Sequence, residues 1–249
     1  MKIMPLLSTL LVLLVILPAV AAADSLLAQM DALNRADGVA NQKKALELGV
    51  QAVENDPDSY EARWKLARAC AYYTYCLQEE LVDGWEDQCK VYGKTGMAHA
   101  EKALELAPDC IEGHYFFAFN AGMYSYGVSI FSAIAEGLKD KTQHHFETVC
   151  EMNPRYEEGA ALVSLGRFWH QLPWPLKDKD KALAYYRAYQ QTSNYGKDPN
   201  SLVIMAELLA DLGGREHQQE AADILAAALN DPACGPYYRR IGEKVQEEL

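Results

Sequence analysis

Apolar residues recur along the chain at helical spacing, and the runs they form end in a common way. AVENDP (52–57), ALELAP (103–108), VCEMNP (149–154) and ALNDP (228–232) each join an apolar helix end to a short polar turn and a proline. The residue before proline avoids the α region, so each proline predicts a helix stop. Pro199 follows a looser version of the same pattern. Amphipathic segments then restart: SYEARWKLARACAYY (59–73), IEGHYFFAFNAGMY (111–124), YEEGAALVSLGRFW (156–169) and NSLVIMAELLADLG (200–213).

Helix, turn, helix, proline is the rhythm of tetratricopeptide-like repeats, whose period is about 34 residues. The prolines at 57, 108, 154, 199 and 232 lie 51, 46, 45 and 33 residues apart, so most repeats carry insertions. Small residues are required where neighbouring helices approach closely. With the prolines aligned, they fall on Ala67, Ala118, Ser164 and Gly242 in first helices, and on Ala45, Ala52, Ala100, Ala103 and Ala227 in second helices. The repeat around Pro199 fits badly, with Leu209 at the small position. The segment from Tyr126 to Leu138 predicts an extra helix between the two helices of its repeat, with Val128, Phe131, Ala135 and Leu138 on one face. β-branched residues are scattered and no hairpin signal separates alternating runs. The expected fold is therefore all-α: a superhelix of tetratricopeptide-like helical hairpins with inserted helices, over residues 24–249.

The first residues read differently. Lys2 precedes an apolar run from Ile3 to Val20, which ends in Ala21-Ala22-Ala23 before Asp24. A charged start, an apolar stretch and small residues predict a secretory signal over residues 1–23, with an uncleaved N-terminal anchor as the alternative. The expected location is periplasmic. In an oxidising compartment the six cysteines at 70, 76, 89, 110, 150 and 234 suggest disulfides, with buried free thiols as the other reading. Cys110, at the entry of one helix, and Cys150, near the exit of its partner, form one expected bridge; Cys76 and Cys89, flanking Gly84, form the second.

The formal net charge of −12, with no basic cluster, argues against nucleic-acid binding. Catalytic signatures are lacking too: there is no His-Glu-x-x-His, no Gly-x-Ser-x-Gly, no phosphate loop and no dinucleotide fingerprint. His144 and His145, being adjacent, point to different sides of a helix and make a poor metal pair. The chain thus reads as a non-enzyme without metal or cofactor.

What stands out is aromatic content. First helices of stacked hairpins line a concave surface, and the inward positions are Trp64, Arg68 and Tyr72, then Tyr115, Phe119 and Met123, then Leu165, Phe168 and Trp169. The next repeat offers only Val203, Ala206 and Ala210. Rings on three neighbouring repeats, with Arg68 and Asn120 close by, suit an apolar or amphipathic small ligand with a polar end. Plain core is the competing reading of such a stripe. An inserted helix closing the groove would leave an enclosed cavity.

AFNAGMYSYG (118–127), paired with LGRFWHQLPWPLKDKDKAL (165–183), resembles the TatT family, the tetratricopeptide components associated with TRAP transporters. That resemblance implies an all-α periplasmic accessory protein with an internal hydrophobic channel. It implies as partners the substrate-binding component of a transporter and an apolar organic acid, and allows a homo-oligomer. Two features depart from the family: no lipid-bearing cysteine follows the apolar run, and six cysteines are present. The other functional class is a protein-interaction scaffold whose concave face is open and holds no small molecule. Within the signature, Leu172-Pro173-Trp174-Pro175 is a pre-extended turn. Trp174 is expected to pack on a neighbouring repeat, with a partner's surface as the alternative, and Arg167 to order the corner through a carboxylate or carbonyl.

Overall fold

The computed structural model describes residues 25–36 and 38–249. The expected signal segment and most of its flank lie outside them. The described residues are helical, without strands: α1 (25–36), α2 (Val39–Asn55), α3 (Tyr60–Glu79), α4 (Trp85–Leu106), α5 (Ile111–Val128), α6 (Ile130–Ala135), α7 (Leu138–Met152), α8 (Ala160–Gln171), α9 (Lys179–Gln190), α10 (Pro199–Leu212), α11 (Arg215–Asn230) and α12 (Pro236–Glu248). Consecutive helices pair as hairpins, α6 being the insertion between α5 and α7, and α12 packs on α10, α11 and α3. The all-α repeat architecture is the one the proline rhythm implies.

The helix boundaries follow local chemistry. Asp56, Ala107 and Asn153, each before a proline, have ψ of 87°, 87° and 97°, the extended conformation that the following ring imposes. Ser59 caps α3 by accepting the Ala62 N–H, and Asp178 caps α9 by accepting that of Lys181. Pro199 behaves differently from expectation. It opens α10 at its first turn, capped by Asp198, instead of closing the helix before it.

Most of the extra length in the first full repeat goes into longer helices, 20 residues in α3 and 22 in α4. The small positions hold where helices touch: Ala67, Ala118, Ala45, Ala52, Ala100 and Ala103 are almost completely buried. Ala227 is exposed, and its neighbour Ala228 takes the buried place, so the register of the last hairpin is shifted by one. The inserted helix also differs. α5 runs on to Val128, and Ser129, with φ of 90°, breaks the helical phase before the six-residue α6. Ile130, Ala133 and Ile134 consequently face inward, while Phe131 and Ala135 are exposed.

All six cysteines are free, so neither expected bridge forms. Cys110 turns its sulfur into its own helix as the N-cap of α5, accepting the Gly113 N–H at 3.3 Å. Cys150 packs instead at the junction of the two larger core clusters. Cys76 and Cys89 sit in the core on α3 and α4. Burial pushes the thiols of Cys70 and Cys89 up to about 12, so they behave as small apolar groups.

Candidate functional site: an aromatic cavity

A cavity of about 880 Å³ lies between the first helices of the central hairpins. α3 contributes Tyr72 and Tyr75, α5 contributes Tyr115, Phe119 and Met123, and α8 contributes Phe168. α6 lays Ile130 and Ile134 over one side, and α10 and α12 complete the wall with Ile204 and Tyr238. The rings form a continuous set. Phe119 lies 5.9 Å from Tyr72, 5.9 Å from Tyr115 and 6.0 Å from Tyr75, and Tyr75 lies 6.2 Å from Tyr238.

Closure at the α12 end depends on Asn200. Its side-chain amide donates to Glu79 Oε1 at 2.5 Å and to the Tyr75 hydroxyl at 3.1 Å, while its carbonyl accepts the Gly235 N–H at 3.0 Å. One buried side chain thereby joins α3, α10 and the entry of α12.

Arg167 and Lys139 are the cations of the cavity wall, and Lys139 is paired with Asp140. Arg167 Nε and Nη2 donate to the Tyr126 hydroxyl at 3.2 and 3.1 Å. Its Nη1 lies 3.8 Å from Glu207 Oε2, and neither of these two buried atoms has a hydrogen-bond partner. Burial works against the charge, but the surrounding phenols and Glu207 outweigh it and hold the pKa well above the ordinary arginine value. Arg167 is therefore a permanent cation, with Nη1 buried against Glu207 and the rest of the guanidinium in the wall.

Of the nine residues expected to bind ligand, Tyr72, Tyr115, Phe119, Met123 and Phe168 line the cavity. Trp64, Arg68, Asn120 and Trp169 do not. Trp64 stacks on Phe116 at 6.1 Å, and Arg68 lies over the Trp64 ring at 5.0 Å while pairing with Asp31 of α1. Asn120 is fully buried between helices, donating to the carbonyls of Ala67 at 2.9 Å and Phe116 at 2.7 Å. Trp169 points into the neighbouring core cluster, with Lys181 over its ring at 4.2 Å and Lys139 at 5.6 Å. Trp174 does not pack on a neighbouring repeat, being 89% exposed. Arg167 reaches a phenol and a carboxylate, but as part of the cavity wall.

Outside the cavity, His114 and His145 approach Nδ1 to Nδ1 at 2.8 Å between α5 and α7, with His144 on the exposed side. Among the described residues no three or more histidine, cysteine, aspartate or glutamate side chains are placed to hold a metal ion.

Residues 26–174 match the model of the family described as regulator of microtubule dynamics protein 1-3. No curated protein matches the chain. The family match overturns the TatT resemblance, and with it the TRAP-transporter accessory role, the substrate-binding component as partner and its organic-acid solute. Of the two segments that carried the resemblance, residues 118–127 lie inside the matched region and residues 165–183 run across its C-terminal edge. The second segment is the end of α8, the turn after it and the start of α9.

Proposed function

From the premise that the chain belongs to the regulator of microtubule dynamics protein 1-3 family, we propose that it is a non-catalytic, ligand-holding helical-repeat module. The cavity takes an amphipathic small molecule, its apolar body along the Tyr72, Tyr115, Phe119 and Phe168 wall and a negatively charged head at Arg167. The observation that carries this reading is the half-buried guanidinium of Arg167 in the wall of about 880 Å³ of ring-lined space. A cation held in a largely apolar wall favours the anionic end of an amphipathic ligand over a neutral one. An open concave scaffold has less support, because α12 folds back across the groove. The family's regulatory role would then be exercised by binding, with the helical exterior free for a protein partner. The apolar run over residues 3–20 belongs to the same proposal as a targeting or anchoring segment.

Anilinonaphthalene sulfonate and Nile red test the head-group assignment, because both are apolar and only the first is anionic. Arg167→Met is expected to weaken the sulfonate by ~10-fold or more while leaving Nile red within about twofold. Equal loss of both probes would remove Arg167 from ligand recognition, and failure of the wild type to take up either would sink the cavity reading.

A further inference from the structure

Two large apolar side chains stand out of the same end of the repeat stack. Trp174, in the α8–α9 turn, is 89% exposed between Pro173 and Pro175, and Phe131, on α6, is 68% exposed. Alternating helix direction puts the α5–α7 and α8–α9 connections at one end of the hairpins. The Trp169 ring confirms that proximity, since Lys139 at the start of α7 and Lys181 at the start of α9 both lie over it. Leu176, 37% exposed, adds to the apolar surface of the turn.

Both projecting elements also wall the cavity. α6 turns Ile130 and Ile134 inward while holding Phe131 out, and the end of α8 and the residue after it place Gln171 and Leu172 in the wall immediately before Pro173 and Trp174. An apolar molecule reaching the cavity past these elements must cross water, at a large free-energy cost, unless this end abuts an apolar phase. Tryptophan held on a rigid turn suits the interfacial layer of a bilayer, where its ring meets acyl chains and its indole N–H meets headgroups.

Charge narrows the kind of surface. Most lysines of this end are paired: Lys139 with Asp140, Lys177 and Lys179 with Asp211, and Lys181 with Asp178, leaving the exposed Lys90 of α4 beside Gly127. Among the described residues a single lysine does not make a cationic patch to seek anionic headgroups, and the whole chain carries −12. We propose that Phe131 and Trp174 dock this end of the molecule on a zwitterionic lipid surface by ring insertion, bringing the cavity against the bilayer. Two rings without a charge attraction give a weak and reversible attachment. The purpose of the docking rests on the ligand-holding reading of the cavity; the docking itself is measured separately.

The experiment is flotation of the full chain with phosphatidylcholine vesicles, with and without phosphatidylserine, alongside quenching of tryptophan emission by brominated phosphatidylcholine. The wild type is expected to float with phosphatidylcholine and to gain nothing from phosphatidylserine. Phe131→Ser with Trp174→Ala is expected to lower vesicle affinity by ~10-fold or more. Trp174→Phe should keep most of the binding and lose most of the quenching. These side chains are exposed, so circular dichroism and sulfonate uptake in vesicle-free solution should match wild type. If sulfonate uptake fails in the wild type while flotation persists, the cavity reading fails and the docking stands. Three outcomes overturn the docking: no flotation of the wild type, flotation unchanged in the double variant, or flotation that requires phosphatidylserine and disappears with salt. Trp174-dependent capture of a protein partner without vesicle binding would assign the surface to that partner.

Discussion

Arg68 reaches across to Asp31 of α1, Nη2 to Oδ1 at 2.6 Å, while Lys65 holds the other carboxylate oxygen at 2.8 Å. Two cations on α3 thus share one anion on α1, and the Lys65 side chain is only 6% exposed. Asp31→Asn leaves those charges undercompensated, with Glu61 remaining to Lys65 at 2.7 Å. The expected cost is about 1–3 kcal/mol, read by urea denaturation, with faster amide exchange in α1 than elsewhere. The sign with pH is fixed by the carboxyl. Burial would raise its pKa, but the hydrogen bonds from Lys65 and Arg68 outweigh it and hold it below 3.8. The contribution is therefore complete above the ordinary carboxylate pKa and is lost as pH falls through the depressed value. An Asp31→Asn variant as stable as wild type at neutral pH would show that the clamp is ornamental.

Phe119 and Trp169 are expected to behave differently when truncated. Phe119 is half-buried and faces open space in the cavity, so Phe119→Ala should weaken probe uptake at modest cost to stability. Trp169 is 6% exposed and packs in the core away from the cavity. Trp169→Ala should cost roughly 3–5 kcal/mol with unchanged probe affinity in the protein that remains folded. Parallel denaturation and probe titration of the two variants decide this, and a shared phenotype would contradict the division between wall and core.

Why the sequence separates some of these residues and confuses others follows from range. Tyr72, Tyr115, Phe119 and Met123 reach the cavity because one helix face is set by spacing alone, and small residues at positions such as Ala67 fix which face that is. Trp64 and Arg68 share the face of Tyr72, but α1 brings Asp31 over that end of α3, a contact between segments 34 and 37 residues apart. Trp169 and Phe168 are neighbours in sequence and roughly 100° apart around the helix, within the uncertainty of a register read from prolines. Asn200 and Tyr238 were not legible as wall residues. Their places depend on the superhelical turn accumulated over several hairpins, which no local pattern encodes. The free cysteines are a similar case, since Cys110 is as serviceable a cap as the Ser59 that precedes α3.

The His114–His145 pair makes stability sensitive to mild acid. At 2.8 Å one ring nitrogen must donate and the other accept, so both imidazoles cannot be charged without separating. Burial first, and then proximity to His114, His144 and Lys141, together lower the His145 pKa from 6.5 to about 4. A histidine depressed in the folded state binds its proton better when unfolded. Stability should therefore decline as pH falls from 6.5 towards about 4 and level off below. His145→Phe, which keeps a ring against Phe117, should flatten this part of the melting-temperature profile. An unchanged slope would move the acid sensitivity elsewhere, with His99, also lowered to about 4, the next to test.

Gly96 and Asn120 mark a close approach of α4 to α5. A Cβ built on Gly96 would lie 2.2 Å from Asn120 Oδ1, and one on Gly93 would lie 2.8 Å from the backbone nitrogen of Tyr124. α4 can approach α5 this closely only because both positions lack side chains. Asn120 cannot swing aside, because its amide is fixed by the carbonyls of Ala67 and Phe116. Gly96→Ala is expected to destabilise by about 1–3 kcal/mol or more through overpacking. Asn120→Ala removes the obstructing group and also two hydrogen bonds, so alone it too should destabilise. Together the two changes should cost less than the sum of the singles, since the new methyl then enters space that the amide has vacated. A double-mutant cycle by urea denaturation measures the coupling. Strict additivity would mean that the clash is relieved by helix movement, and that the tightness of this contact is not what holds α5, and the rings it carries, in place.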